Sequence, residues 1–430
     1  MIHQLRLVEA FKRLKVGYLK GDMGTGKTLA MLAVAEQKKG KYLRIVWVAP
    51  CSTIQGLKEQ INEHSTGFDI RFFSYEAIQS SNKAYSLFCY AIEDAFLVLD
   101  EAHFLKNRNA KRTKRIQMVA SLAKYRFAMS GTPMGLDLYD YFSQLMILSD
   151  EIWGYSTWRA FETFHIQRKH VAGSFGKREV MKTVGSYELI QRLKPYLYEF
   201  RKNELLKFLP PKKYSIIKHK TDTATNIAYD DTKKEILDKY AEYGLFQNAV
   251  YMLITALHQV IGLDDSRIAL LDGIVDKLEG KVIVWCKYRA EIDLIVELTK
   301  HSSMVIDGRT NHIERHNIIK KFKKGNTKIL ITNQACGGVG LNLQFCSKQI
   351  FYNQSWCSIQ REQAEDRIHR IGQNADDCQY IDIVGNLPIE QMLHACLNRK
   401  LNLKSFVNEI IGKNAKLSKE DIIERFGKII

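Results

Sequence analysis

Short, nearly unbroken apolar runs punctuate both ends of this chain, with helix-periodic stretches between them. Val46-Trp47-Val48-Ala49, Phe96-Leu97-Val98-Leu99 and Arg126-Phe127-Ala128-Met129 predict buried strands in the first third. Val282-Ile283-Val284-Trp285, Lys328-Ile329-Leu330-Ile331 and Gln349-Ile350-Phe351-Tyr352 predict them in the last third. Runs without polar alternation, set between helices, predict parallel sheets covered on both faces, an α/β fold. From about Ser149 to Gly262 the pattern changes. Helical periodicity dominates, strand signals are weak, and Pro195, Pro210 and Pro211 supply half of the 6 prolines. Trp153, Tyr155, Trp158, Phe161 and Phe164 read as core at that spacing, with base stacking as the lesser alternative. The expected organisation is a first α/β domain over 1–148, a helical connector and link over 149–262, a second α/β domain over 263–390 and a helical tail over 391–430. No repeat of 20 to 50 residues is visible.

Composition narrows the class. A chain of 430 residues with 46% hydrophobic and 26% charged positions is globular and long enough for two or three domains. Lys+Arg 64 against Asp+Glu 47 gives a net charge of +17, which favours a polyanionic partner, nucleic acid foremost. None of the 8 cysteines forms a C-x-x-C pair, so a zinc ribbon or redox pair is not expected. Several sit in apolar runs as free thiols, which suits a reducing cytoplasm (a host's, if the protein is viral). No apolar run approaches a membrane span, and Met1-Ile2-His3-Gln4-Leu5-Arg6 lacks a secretory apolar region. No membrane partner is expected.

The chemistry begins at Gly21-Asp22-Met23-Gly24-Thr25-Gly26-Lys27-Thr28, which satisfies G-x-x-x-x-G-K-S/T between a short strand at Val16–Leu19 and a helical run at Leu29–Gln37. Gly24, Thr25 and Gly26 let backbone N–H groups curl around phosphate, with the helix N-terminus adding its dipole. Lys27 then reaches the β- and γ-phosphates and the Thr28 hydroxyl ligates magnesium, so ATP and Mg2+ are the expected cofactors. Asp100-Glu101-Ala102-His103 directly follows the Phe96–Leu99 run. Two adjacent carboxylates at a strand tip suit two jobs: Asp100 holds the metal and Glu101 polarises the attacking water. Ser130-Gly131-Thr132-Pro133 follows a third run. Three polar motifs thus sit at the carboxyl ends of three strands, where open α/β sheets bind ligands.

In the last third, Cys336-Gly337-Gly338-Val339-Gly340-Leu341-Asn342-Leu343 follows a strand. Further on stands Gln363-Ala364-Glu365-Asp366-Arg367-Ile368-His369-Arg370-Ile371-Gly372-Gln373. Taken in order, these motifs resemble the Swi/Snf-type ATPases of helicase superfamily two. Val48-Ala49-Pro50, Ser74-Tyr75-Glu76, Lys106-Asn107, Tyr198–Lys202 with Leu209-Pro210-Pro211-Lys212, and Asp307-Gly308-Arg309-Thr310 fill the gaps, so the resemblance runs from about Gln4 to Gln373. It implies two tandem RecA-like P-loop domains with parallel sheets, joined by a helical connector, with ATP between them. It also implies that Gln4 reads adenine, that Gly340 lies at the nucleotide, and that Arg367 and Arg370 act on the phosphates from the second domain. His103, Ser130, Thr132 and Gln363 would couple nucleotide to strand, and Ser74, Tyr75, Arg309 and Thr310 would touch nucleic acid. The chain departs from the family where Gly21-Asp22 replaces Asp-Glu and Trp356-Cys357-Ser358 replaces Trp-Asn-Pro. The reduced insertions suggest a minimal bacterial or phage motor rather than a nucleosome remodeller.

From Lys106 to Arg126 there are eight basic residues and no acidic one, among them Lys106, Arg108, Lys111 and Arg112. A second basic stretch holds Arg168, Lys169, His170, Lys177 and Arg178. Both are solvated faces or contacts to phosphate backbone. The leading expectation is a monomeric DNA-dependent ATPase that translocates on DNA of any sequence, duplex or branched, and remodels or unwinds it. A DEAH-type RNA helicase and a scaffold that uses ATP as a switch are the alternatives.

Overall fold

The computed structural model describes residues 2–64, 67–131, 138–173, 176–202, 208–243, 249–334, 341–400 and 403. The chain divides into two compact units, Met1–Lys169 with Val180–Leu209, and His170–Glu179 with Pro210–Ile430.

The strands, in chain order, are β1 (Val16–Gly21), β2 (Ile45–Ala49), β3 (Ile70–Ser74), β4 (Phe96–Asp100), β5 (Tyr125–Ser130), β6 (Ile166–Gly173), β7 (Gly176–Thr183), β8 (Leu197–Phe200), β9 (Lys212–His219), β10 (Val282–Cys286), β11 (Ser303–Ile306), β12 (Ile329–Asn333), β13 (Lys348–Phe351) and β14 (Cys378–Gly385). The first unit holds a six-stranded sheet ordered β3-β2-β4-β5-β1-β8 and the second a six-stranded sheet ordered β11-β12-β10-β13-β14-β9. Every neighbouring pair in both sheets is parallel.

The apolar runs explain the two-sided burial. Successive strand residues point to opposite faces, and in β2 and β4 Val46, Val48, Leu97 and Leu99 join one cluster. Ile45, Trp47, Ala49, Phe96 and Val98 join the other. In β10, Val282, Val284 and Cys286 pack on one side and Ile283 and Trp285 on the other. Full burial of such a side chain contributes about 1.5–3 kcal/mol.

Residues 149–262 are not a separate helical body. Up to Leu209 they belong mainly to the first unit, and from Pro210 to the second. Ile152, Trp153 and Phe161 sit in the first core, with Tyr155 and Trp158 packed against it, whereas Phe164 is exposed. The stretch also contributes β8 to the first sheet and β9 to the second, and forms the two-stranded ribbon β6–β7. β8 and β9 lie at sheet edges, where a face left to water interrupts the apolar run. The helices Thr223–Tyr243, Ala249–Val260 and Pro388–Asn398 supply a further core around Trp356.

The second unit carries charge through its interior. Arg267 is 1% exposed. Its Nε and Nη2 donate to Tyr352 O at 3.0 and 2.7 Å, Nη2 to Ile383 O at 2.8 Å, and Nη1 to Glu390 Oε1 at 2.6 Å. Buried Glu291 accepts from Asn353 Nδ2 at 2.6 Å and from the Lys287 and Tyr288 N–H groups.

Candidate functional site

Between β1 and the helix Lys27–Gln37 the chain makes a tight loop with φ of 78° at Gly24 and 79° at Gly26. A side chain in that left-handed region costs roughly 1–2 kcal/mol, so the loop needs glycine at both places. The loop is held from within and from the N-terminal helix. Thr25 Oγ1 donates to Asp22 O at 2.8 Å, His3 Nε2 lies 3.0 Å from Thr25 O, and Gln4 Nε2 donates to Gly26 O at 3.2 Å. Gln4 therefore lies at the loop. Lys27 Nζ folds back to donate to Gly21 O at 2.9 Å and Asp22 O at 3.2 Å. Thr28 is half-buried at the start of the helix. Asp22, one of the departures from the family pattern, has its own task. Its N–H donates to Phe200 O at 3.0 Å and its Oδ2 accepts from Lys202 N–H at 2.8 Å, which ties the loop to β8.

The tip of β4 faces the same place. Glu101 has φ 48°, a left-handed conformation rare for a residue with a Cβ. Its carboxylate lies 3.3 Å from His103 Nδ1 and accepts from Gly131 N–H at 3.3 Å. His103 Nδ1 is also 3.1 Å from Ser130 Oγ. A Cβ on Gly131 would stand 2.7 Å from Lys27 Nζ. The tips of β1, β4 and β5 thus bring Lys27, Glu101, His103, Ser130 and Gly131 into one polar cluster.

Charge in this cluster is divided unequally. Burial and the neighbouring Glu101 charge push Asp100 up to about 7. Burial works against Glu101 as well, but the His103 hydrogen bond, the Lys27 charge and the Gly131 N–H outweigh it and hold Glu101 down to about 2. Two adjacent carboxylates in a desolvated place do not ionise alike. The Asp100 carboxylate and Thr28 hydroxyl are hard oxygen donors of the kind magnesium takes. The glycine-lined loop is a cradle of the kind that takes phosphate. The residues present fit both groups.

Thr132 and Gly340 lie outside the described residues. Gln363 is half-buried on the helix Ser358–Glu365. Arg367 is 6% exposed, with Nη1 3.5 Å from Leu341 O. Arg370 Nη1 donates to Asn342 Oδ1 at 2.7 Å, and burial draws its guanidinium below its usual value. Asn342, which closes the glycine-rich motif, is a site partner that the motif's spacing contained but did not assign.

Several expected nucleic-acid contacts have other work. Tyr75 is fully buried, stacked on Phe104, with its OH donating to Asp100 O at 2.8 Å. The ring is therefore unavailable to a strand, and instead it props the β4 tip. Ser74 Oγ caps the next helix by accepting from Ala77 N–H at 3.0 Å. Arg112 Nε donates to Phe104 O at 2.8 Å and Nη1 to Gln79 Oε1 at 3.1 Å, while Arg108 stacks on Trp158 at 3.9 Å. Arg309 is held by Asp293 and Asp307, and the Thr310 hydroxyl accepts from Asp307 N–H at 3.1 Å. Lys106, Lys111 and Lys114 are exposed. The basic stretch thus separates by residue type, with these arginines engaged in packing and these lysines in water.

Comparison with known proteins finds two domain families along the chain. Residues 57–262 match the SNF2-related domain and residues 266–372 the helicase conserved C-terminal domain. The chain is 24% identical over 475 residues to the ISWI chromatin-remodeling complex ATPase CHR11 of Arabidopsis thaliana, covering 96% of this chain and 43% of that protein. It is 26% identical over 454 residues to the uncharacterized ATP-dependent helicase MG018 of Mycoplasma genitalium, covering 95% of this chain and 42% of that one. This chain therefore spans less than half the length of these relatives. Among solved structures it is similar to the Sulfolobus solfataricus SWI2/SNF2 ATPase core in complex with dsDNA, with 19% identity, a TM-score of 0.42, and coverage of 100% of this chain and 96% of that chain.

Proposed function

We infer, from the premise that this chain is a Swi/Snf-type helicase-like ATPase, that it hydrolyses ATP when bound to DNA and uses the cycle to move along duplex. The observation that carries the reading is the convergence of Lys27, Glu101, His103, Ser130 and Gly131 at the tips of β1, β4 and β5.

The chain's own groups suit the steps. Lys27 Nζ leaves the carbonyls of Gly21 and Asp22 for phosphate oxygen, exchanging neutral acceptors for charged ones. Glu101, held ionised, takes the proton of the attacking water, and His103, itself beside the Ser130 hydroxyl, fixes its carboxylate. Thr28 and Asp100 would hold magnesium, which supplies charge neutralisation between the phosphates. By the family resemblance, Arg370, with Arg367 three residues before it, supplies positive charge to the transferring phosphoryl group. Lys106, Lys111 and Lys114 offer sequence-independent charge to a DNA backbone.

Turnover with no nucleic acid, single-stranded DNA, duplex DNA and RNA tests the reading. We expect duplex DNA to stimulate most. RNA as the best activator would move the protein to the RNA helicases, and no response to any nucleic acid would refute it. A second reading, strand separation, draws on the β6–β7 ribbon, a shape suited to a wedge. Displacement of a triplex strand from blunt duplex without unwinding of a tailed duplex favours translocation; the reverse favours the wedge.

A further inference from the structure

The chain enters the second unit for the last time at Pro210 and at once begins β9. The first residues after that crossing do not simply extend the sheet. Lys212 Nζ donates to Glu365 Oε2 at 2.9 Å and to Asp366 Oδ1 at 3.4 Å. Tyr214 OH donates to the same Glu365 oxygen at 2.8 Å. His369 Nε2 lies 3.0 Å from Pro210 O. These partners belong to the segment that also carries Gln363, Arg367 and Arg370.

The segment is fixed from its other side by Arg361. Its Nε donates to Glu365 Oε1 at 2.8 Å, and its Nη1 to Gln354 Oε1 at 2.8 Å and Asp382 Oδ1 at 2.6 Å, with the guanidinium over the Phe351 ring. Glu365 is therefore gripped between Arg361, which is anchored in the sheet, and Lys212, which sits at the end of the link. Burial opposes the charge on Lys212, but the Asp366 and Glu365 carboxylates outweigh it and hold the ammonium well above its ordinary value. Burial raises Glu365, and Lys212 and Arg361 outweigh it and keep the carboxylate ionised.

We propose that Lys212 and Glu365 are positioning residues that fasten the interdomain link to the arginine segment, so that Arg370 is correctly placed only when the link is. This rests on the reading that Arg370 acts on ATP. Neither Lys212 nor Glu365 is assigned a part in the chemistry. Their effect passes through the backbone of Asp366–Arg370, whose turn is closed by Glu365 O accepting from His369 N–H at 3.3 Å. Misplacing a catalytic group by about 1 Å can lower turnover about a hundredfold.

The test compares Lys212→Met, Lys212→Arg and Arg370→Ala with the unmodified chain, in steady-state ATP hydrolysis with saturating duplex DNA and in thermal unfolding. We expect Lys212→Met to lower kcat about ten- to a hundredfold with KM for ATP nearly unchanged, and Lys212→Arg to recover most of it. A purely structural role would move the unfolding midpoint of both Lys212 variants without splitting kcat from KM. Glu365→Gln, which keeps the shape but removes the charge, should mimic Lys212→Met. If Arg370→Ala is inactive while Lys212→Met and Glu365→Gln turn over normally, the positioning role is refuted and the ATPase reading stands. If Arg370→Ala itself hydrolyses ATP normally, Arg370 has no part in the chemistry and the positioning role falls with it, while ATP hydrolysis by the chain stands.

Discussion

In the first unit, polar and charged groups gather at the tips of β1, β4 and β5, on half-buried loops. In the second they run through the packed interior, where Arg267 has four bonds and Glu365 joins Arg361 to Lys212. The two sheets share a parallel six-stranded design. At the tips, the Glu101 carboxylate is held by long contacts, with His103 and Gly131 at 3.3 Å each. A substrate can replace such partners at small cost. The interior pairs are short and multiply bonded, and removing one partner strands a charge in apolar surroundings. The first arrangement leaves groups available for chemistry, and the second fixes the geometry of a segment.

Substitutions in each unit break or sharpen this contrast. Arg370→Ala should lower kcat by roughly a thousandfold or more with a much smaller change in KM for ATP, since an arginine finger acts on transition-state charge. Steady-state kinetics with DNA present checks this, and normal turnover would erase the active role given to the second unit. Glu101→Gln should lower turnover by about a thousandfold while nucleotide binding, read by a fluorescent ATP analogue, persists. Lys27→Ala should lose the binding itself. Arg267→Met should destabilise the second unit by about 3–5 kcal/mol in urea unfolding, because it leaves Glu390 buried without its cation. Glu101→Gln should stay within about 1 kcal/mol of the unmodified chain in the same assay, and equal losses would dissolve the contrast. Replacing Lys106, Lys111 and Lys114 by Gln should reduce the salt dependence of DNA affinity by about one unit for each phosphate no longer neutralised. The same change at Arg112 should show up mainly in stability, because its guanidinium would no longer hold Phe104 O.

Much of this was legible before the structure, for physical reasons. The central strands are buried on both faces, so burial wrote them as apolar runs: β2, β4, β5, β10, β12 and β13 each fall within a residue or two of expectation. The phosphate loop and the Asp100-Glu101 pair were legible because their chemistry fixes residue types at fixed spacing. The edge strands were not. Of the residues in β9, Lys213, Tyr214, Ser215 and Ile216 are exposed, so no apolar run marks it. Tyr75 was misread because ring type does not report burial, and the packing role of Arg112 was not legible from its charge. Each is held by a partner distant in sequence, Asp100 and Gln79. The Lys212–Glu365 pair, 153 residues apart, had no local signature at all.

The backbone at Glu101 has a consequence for how mutants of this protein would be sorted. The left-handed φ of 48° places a side chain where glycine alone is at ease, a strain of roughly 1–2 kcal/mol. Glu101→Gly would release that strain and offset part of the cost of leaving His103 and Gly131 without their acceptor. A screen that ranks variants by heat resistance would penalise it only lightly, whereas a screen that ranks by turnover would discard it. Directed evolution for robustness alone would therefore protect the acid at this position only weakly, and selection would have to include catalysis in every round to keep it.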